Sequence, residues 1–500
     1  MRIFWDILFP AYDERKELMS QTASALVQKV WNYAHVLKDD GLAFMDYTEQ
    51  ITYLLFLKMV WERRHERALE IPSLYTWGTL KKISNDEKRL VRYHQGLRNL
   101  STRPGLLGLI FTKPQSKISD PAKLHYLMQI MDSENWSALD VDVKGEVYEG
   151  LLARNAEDVR GGAGQYFTPR PVIRAVVEVM RPEPMMRISD PACGTGGFLL
   201  AAFEYLKSRA ANAKEIAYLH NRTLHGIDLV SNVARLCAMN LFLHGIGTDP
   251  KHPVVEIGDS LESKPMSDPV DMVLTNPPFG KKSSYTIIGK DGKNLTDKIS
   301  YHRPDFWATT SNKQLNFVQH VYSTLKETGR AAVVVPDNVL FEGGAGEKIR
   351  RTLLQRCDVH TLLRLPTGIW YSPGVTANVL FFDKKPLTKT PATKEVWVYN
   401  LRSNQHFSLR RNPIQTEDLS DFIRCYQSDK LDRRKETARF RRFEYSEIVS
   451  RDKANLDIQW ALETKVPAKP ETPQALMKGI LEDLGEAMRE FAAAEKEIRK

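Results

Sequence analysis

Apolar residues in the first part of the chain recur at intervals of three and four. Leu26, Val27, Val30, Trp31, Ala34 and Leu37 make one stripe. Ile51, Leu54, Leu55 and Met59 make the next, with Lys58 in its rhythm and Arg63 and Arg64 in its last turns. This spacing predicts amphipathic helices. Asp46, followed three residues later by Glu49, reads as a capping box opening the second helix. From Gly78 to Pro121 the chain is basic and broken by Gly and Pro, in KKISNDEKR and RPGLLGLIFTKP. Solvated surface is the plainer expectation there, and contact with a DNA backbone the other.

Near Gly150 the texture changes to short apolar runs ending in Gly, Pro or Asp. Seven of them read as strands, at 185–190, 223–228, 254–259, 271–276, 329–336, 359–366 and 377–383. Helical patterns lie between several, as in PVIRAVVEVM and GGFLLAAFEYLKSRAANA. Alternating β and α at this spacing predicts a doubly wound, Rossmann-like α/β sheet. Residues 386–465 read as a polar, basic extension, with RRNP at 410–413 and DRRKETARFRRFE at 432–444. Their Arg/Lys clusters are solvated faces or phosphate contacts. Pro467, Pro470 and Pro473 form a hinge. Beyond it Met477, Leu481, Leu484, Met488, Phe491 and Ile498 keep a four-three rhythm, with Glu495 in the remaining slot. Such a seam packs on its own chain or on a partner subunit. The expected division is a helical domain over 1–150, an α/β domain over 151–465 extended from 386, and a helical docking tail over 466–500.

Composition narrows the class. The chain has 500 residues, 42% of them hydrophobic, and 71 Lys+Arg against 62 Asp+Glu give a net charge of +9. These values exclude a disordered, collagen-like or disulfide-stapled chain. The small positive excess only hints at a polyanionic partner. Cys193, Cys237, Cys357 and Cys425 are widely spaced, with neither CxxC nor metal-ligand spacing, as expected of free thiols in a reducing cytosol. The N-terminus lacks a cleavable-signal pattern, and no apolar run reaches the ~18 residues of a membrane span. A cytoplasmic protein with no membrane partner is expected. His225 and His320 are isolated and no HExxH occurs, so no metal is expected.

The strongest local signal is SDPACGTGGFLL at 189–200. A strand ends in Asp190, and the turn carries Ala192, Gly194, Thr195, Gly196 and Gly197 before a helix opens. Glycines allow a tight turn and close backbone approach to a ligand. The pattern is neither GxGxxG nor a phosphate-binding P-loop, so a nucleoside with a small charged tail fits better than a pyrophosphate; S-adenosylmethionine is such a ligand. Asp228 ends the second strand, where a carboxylate suits a ribose diol, and Asp259 follows the third, where an acceptor suits an adenine amino group.

The fourth strand runs into Asn276-Pro277-Pro278-Phe279-Gly280. An exocyclic amine is a poor nucleophile because its lone pair is delocalised into the ring. The Asn276 side-chain oxygen and the Pro277 carbonyl can accept its two hydrogens and turn the lone pair toward a methyl donor. Prolines make the backbone rigid and bring no competing N–H. Phe279 can stack on a base taken out of the helix. Positioning and electrostatics then carry the displacement.

Together these residues resemble the modification (methyltransferase) subunit of type I restriction–modification systems, an N6-adenine DNA methyltransferase family. DPACGTGG resembles its cofactor motif and NPPFG its catalytic motif. GAGQYFTPRP at 162–171 resembles the segment preceding the sheet, which assigns Gln165, Tyr166, Phe167, Thr168 and Pro169 to the methionine end of S-adenosylmethionine. TSNKQLNFVQH, GRAAVVVPDNVLFEGG and LRLPTGIWYSPGVTANVLFF resemble blocks lining the target-base side, and the helical N-terminal region, including TEQITYLLFLKM, and YEGLLARNAE at 148–157 are similar to the family as well. Asp228 stands where the family often has glutamate, and the stretch from Asp190 to Asp228 is long. The resemblance implies S-adenosylmethionine-dependent methylation of adenine N6 in double-stranded DNA by base flipping. It also implies a multisubunit complex with a specificity subunit, a second copy of this chain and a restriction subunit in a prokaryotic cytoplasm. The residues alone leave open an RNA or protein amine methyltransferase, a non-catalytic scaffold and, remotely, a dehydrogenase.

Overall fold

A computed structural model describes residues 44–62, 71–114, 116–136, 168–247, 249, 251–262, 268–279, 284–288, 294–298, 301, 303–370, 375–402, 407–408, 412–427, 431–460 and 477. Residues 1–458 form one compact unit and 459–500 a second. The stripe from Leu26 to Leu37, Arg63, Arg64, Gln165 to Phe167, and the heptad tail apart from Met477 lie outside the described residues.

The helical part comprises α1 (Phe44–Glu62), α2 (Trp77–Lys82), α3 (Asp86–Ser101), α4 (Gly105–Ile110) and α5 (Pro121–Asp132). Asn85 caps α3 by accepting from the Lys88 amide, and Asp120 caps α5 by accepting from Ala122, with Pro121 at the first helical position. Two expectations for α1 fail. It is already helical at Phe44, so Asp46 lies inside it rather than capping it. It is also buried on every side from Ile51 to Val60, Lys58 included, with the helices Trp77–Lys82, Pro121–Asp132 and Ser231–Leu243 packed against it. The Lys58 ammonium reaches Asp132 at 2.9 Å and Glu62 at 3.1 Å. Burial raises the Asp132 carboxyl, but donors from Lys81, Lys58 and Trp77 outweigh it and hold it at about 2.

The second layer system runs α6 (Arg170–Met180), β1 (Ile188–Asp190), α7 (Gly197–Lys207), α8 (Ala213–Asn221), β2 (Leu224–Asp228), α9 (Ser231–Leu243), β3 (Val255–Ile257) and β4 (Val270–Thr275). After a β5–β6 hairpin (Ser284–Ile288, Asn294–Lys298) follow α10 (Lys313–Thr324), β7 (Leu325–Pro336), α11 (Asp337–Phe341), α12 (Ala345–Arg356), β8 (Cys357–Leu365), β9 (Ala377–Lys384) and β10 (Glu395–Asn400). The last elements are α13 (Ser420–Tyr426), β11 (Phe440–Glu444) and α14 (Tyr445–Ser450). Nine strands form one sheet in the order β11-β10-β8-β9-β7-β4-β1-β2-β3. β9 runs antiparallel to both its neighbours, and β11 is antiparallel to β10; the remaining pairs are parallel. The chain moves outward from β1 to β3, then returns to the other side of β1 as β4. This reversal opens a crevice at the carboxyl ends of β1 and β4, where ligands bind in such sheets.

All seven expected strands form. Residues 386–465, however, are more than a polar extension, because β10 and β11 complete the sheet. β10 is buried along Val396–Asn400, whereas β11 is buried only at Phe440 and becomes half-buried to exposed from Arg441 to Glu444. Arg434, inside the basic run, is buried and donates to the carbonyls of Tyr426 and His360. Helical part and sheet are joined through Arg235 of α9, which pairs with Glu49 and donates to the Thr112 carbonyl at 2.9 Å.

Candidate active site

The Gly-rich turn after β1 is held by the chain's own polar groups. The Cys193 amide donates to the Ile227 carbonyl at 2.9 Å, and the Gly194 amide to Asp228 Oδ2 at 3.1 Å. Asn240 of α9 donates to the Thr195 carbonyl at 2.9 Å. Gly194 and Gly196 take positive φ, 55° and 86°, which favours glycine. The two differ in what surrounds them. A Cβ on Gly196 would lie 2.9 Å from Cys237 Sγ, so that glycine serves packing. A Cβ on Gly194 would meet nothing within 4 Å, and the same holds at Gly258 after β3. The loops therefore present bare backbone to open space on the ligand side of the sheet.

Asp190 lies at the floor, 2% exposed. Thr275 Oγ1 donates to its Oδ1 at 2.6 Å and the Ala192 amide at 3.1 Å. Burial pushes its carboxyl up to about 7; the Thr275 and Ala192 donors pull against this, and the charge of Asp228 adds to it. Asp228 is itself raised, by burial first, against donors from Val230 and Gly194. Its two oxygens accept from Val230 (2.9 Å) and Gly194 (3.1 Å), so this shorter carboxylate reaches back to brace the glycine loop. Each oxygen keeps a further lone pair for a ligand hydroxyl. Asp259 accepts from the Leu261 amide and from Tyr301 Oη, both at 2.9 Å.

On the β4 side, Asn276 Nδ2 donates to Thr168 Oγ1 at 2.9 Å across 108 residues of sequence. With Nδ2 on Thr168, the amide oxygen faces away from Thr168. Pro277 is buried and Pro278 exposed. Gln314 of α10 donates to the Pro278 carbonyl at 3.2 Å. Phe279 is buried and meets Trp370 edge-on, with ring centroids 5.9 Å apart. The Trp370 indole N–H is buried, with no acceptor among the described residues.

Thr168, Asp190, Ala192, Gly194, Thr195, Asp228, Asp259 and Asn276 thus meet at one sheet edge. Pro169 caps α6, and Gly197 starts α7 packed against Ile173 and Arg170. The sequence reading missed Tyr301; it placed the blocks holding Gln314 and Trp370 on the target-base side without singling out either residue, because their contacts are with distant parts of the chain. It also missed Leu229 and Val230, exposed directly after Asp228, and Ile257, exposed at the end of β3. Apolar residues left exposed directly after a strand-end carboxylate were the available signal.

Comparison with known proteins completes the picture. The N-6 DNA methylase family matches residues 139–469, and the HsdM N-terminal domain matches residues 26–131. The chain belongs to the methylase subunits of type I restriction–modification systems. The EcoKI methylase subunit of Escherichia coli strain K12 is 35% identical over 520 aligned residues, covering 95% of each chain. The crystal structure of the EcoKI M protein superposes with a TM-score of 0.52 at 32% identity, covering 95% of this chain and 96% of that one. A chain from a structure of type I R-M complex assembly and conformational transition gives a TM-score of 0.68 at 26% identity, covering 96% and 99%. For a type I methylase subunit, the Rossmann-like sheet with flanking helices is the expected architecture. No described helix is long and apolar enough to cross a membrane.

Proposed function

We propose that this methylase subunit transfers a methyl group from S-adenosylmethionine to the N6 amine of adenine in double-stranded DNA. The observation that carries the reading is the Asn276–Thr168 hydrogen bond, which sets an amide acceptor at the carboxyl end of β4, next to the Gly194 loop. When bound, S-adenosylmethionine supplies an electrophilic methyl group. The residues fit it. Gly194 and Gly258 leave room for close approach, Leu229, Val230 and Ile257 offer apolar surface to a purine, and Asp228 and Asp259 offer acceptors. Asp190, buried under the loop, is matched to a cationic ligand that would favour its ionised form.

Asn276 Oδ1 and the Pro277 carbonyl accept the two amine hydrogens and turn the lone pair toward the methyl group. Phe279 and Trp370 form the aromatic wall on which a flipped adenine would lie, and the indole N–H offers a donor to it. No strong base is required, because the proton leaves to water after transfer.

Partner roles follow the same reading. β10 and β11 use part of residues 386–465 to finish the sheet, which assigns that stretch to the scaffold rather than to reading DNA sequence. A specificity subunit then supplies recognition, with the tail over 466–500 docking on it, and a second copy of this chain and a restriction subunit join the cytoplasmic complex. Domain roles divide as 1–150 helical, 151–465 catalytic and 466–500 docking. In the complete complex, labelled S-adenosylmethionine should mark duplex DNA. An Asn276→Ala variant should lose this by 100-fold or more, of the order of removing one directed polar group from a reacting centre. Equal labelling by parent and variant would sink the mechanism.

A further inference from the structure

The carbonyl of Pro278 has a partner outside its own motif. Gln314 Nε2 donates to it at 3.2 Å from the first turn of α10. Gln314 is 5% exposed, so its amide is held by the protein rather than by water. The turn that carries it is braced in two ways. Asn312 caps α10, its oxygen accepting from the amides of Gln314 (3.0 Å) and Leu315 (3.3 Å). The Asn312 Nδ2 donates to Glu342 Oε2 at 2.7 Å. Glu342 is fixed in turn by Arg350 of α12, which is 2% exposed and donates to the Glu342 carbonyl at 2.7 Å. A continuous set of part-buried polar contacts therefore runs from α12 to the loop carrying the amine acceptors. Prolines stiffen that loop internally, but they donate no hydrogen bond that could anchor it to the fold. Gln314 supplies this anchor.

We infer that Gln314 is a positioning residue for methyl transfer, holding the Pro278 carbonyl so that the adjoining Pro277 carbonyl and Asn276 amide keep their aim at the target amine. The inference rests on the proposed methyl transfer and adds to it a residue outside the catalytic motif. A shift of about 1 Å in a reacting constellation costs up to ~100-fold in rate.

The test is Gln314→Glu in the complete complex, with steady-state methyl transfer followed from pH 6 to pH 8.5. A carboxylate faces the Pro278 carbonyl oxygen with like polarity and cannot donate, whereas the protonated acid can. Burial raises such a carboxyl, so protonation returns within this range. The charged groups tied to this turn are Glu342 and Arg350, opposite in sign, with Lys313 beside it on α10. The ratio of variant to parent at each pH cancels their own titration and that of Asp190. The expected result is kcat lowered about 10- to 100-fold at pH 8.5, recovering several-fold at pH 6, with KM for S-adenosylmethionine unchanged. A ratio that is flat with pH, whether near one or uniformly low, overturns the inference. Should the variant fail to fold, Glu342→Ala, which removes the acceptor that Asn312 and Asn338 share, is expected to lower kcat several-fold at constant KM, and an unchanged kcat overturns the inference. A parent complex with no transfer at all would instead defeat the proposed function.

Discussion

Gly194→Ala separates a ligand cradle from a packing constraint. The residue has φ 55°, and its added methyl would meet no protein atom within 4 Å. The fold therefore loses only backbone strain, about 1–2 kcal/mol for a left-handed L-residue. The stiffer unfolded chain returns about 0.4–1 kcal/mol of this. A net loss of about 1 kcal/mol is expected in chemical denaturation. The ligand feels more: a methyl pushed into a filled space costs about 1–3 kcal/mol, or about 5- to 150-fold in Kd for S-adenosylmethionine by titration calorimetry. Gly196→Ala is the contrast. Its methyl would sit 2.9 Å from Cys237 Sγ, so it should cost more stability than Gly194→Ala, and Cys237→Ala should return part of the loss. If Gly194→Ala binds within twofold of the parent, the ligand does not approach this loop and the cofactor assignment fails.

Three further outcomes follow from the same contacts. With a native pKa of about 7 against 3.8 unfolded, Asp190 keeps its proton longer in the folded state, so its contribution to stability falls as pH rises from about 4 to 7, by about 4 kcal/mol in all. Asp190→Asn should flatten that slope in denaturation series at pH 5, 7 and 8.5; an unchanged slope would place the titration elsewhere. Arg350→Met strips donors from the carbonyls of Val339, Glu342, Lys453 and Ala454 and should destabilise by at least about 3 kcal/mol, read by denaturation; a loss under 1 kcal/mol would mean the buried arginine is dispensable. Lys453 holds φ 54°, so Lys453→Gly should be neutral or stabilising by up to about 1 kcal/mol, and clear destabilisation would show that its side chain matters more than its backbone.

What the sequence revealed and what it concealed divide along physical lines. Most of the seven expected strands are short apolar runs with largely buried centres, and burial of that kind leaves a compositional trace; β3, exposed at Glu256 and Ile257, is the exception. β11 left little trace, because a short edge strand buried only at Phe440 and carrying Arg441 and Arg442 reads as a basic loop. β10 was hidden inside a polar region whose average masked a six-residue run. α1 was read as amphipathic because Lys58 falls in its stripe, yet Asp132, 74 residues away, buries that charge by pairing it. The strand-end aspartates and the NPPF motif were legible because strand topology brings strand ends to one edge. Thr168 on Asn276, Gln314 on Pro278 and Tyr301 on Asp259 were not, since each partner is chosen by tertiary packing.

The most direct test is to incubate the complete complex with duplex DNA lacking the modification and methyl-labelled S-adenosylmethionine, then digest the DNA to nucleosides and separate them. Label in N6-methyladenosine of the deoxy series, abolished by Asn276→Ala, is the predicted result; label in a cytosine product, or in no nucleoside while the cofactor still binds, would contradict the account.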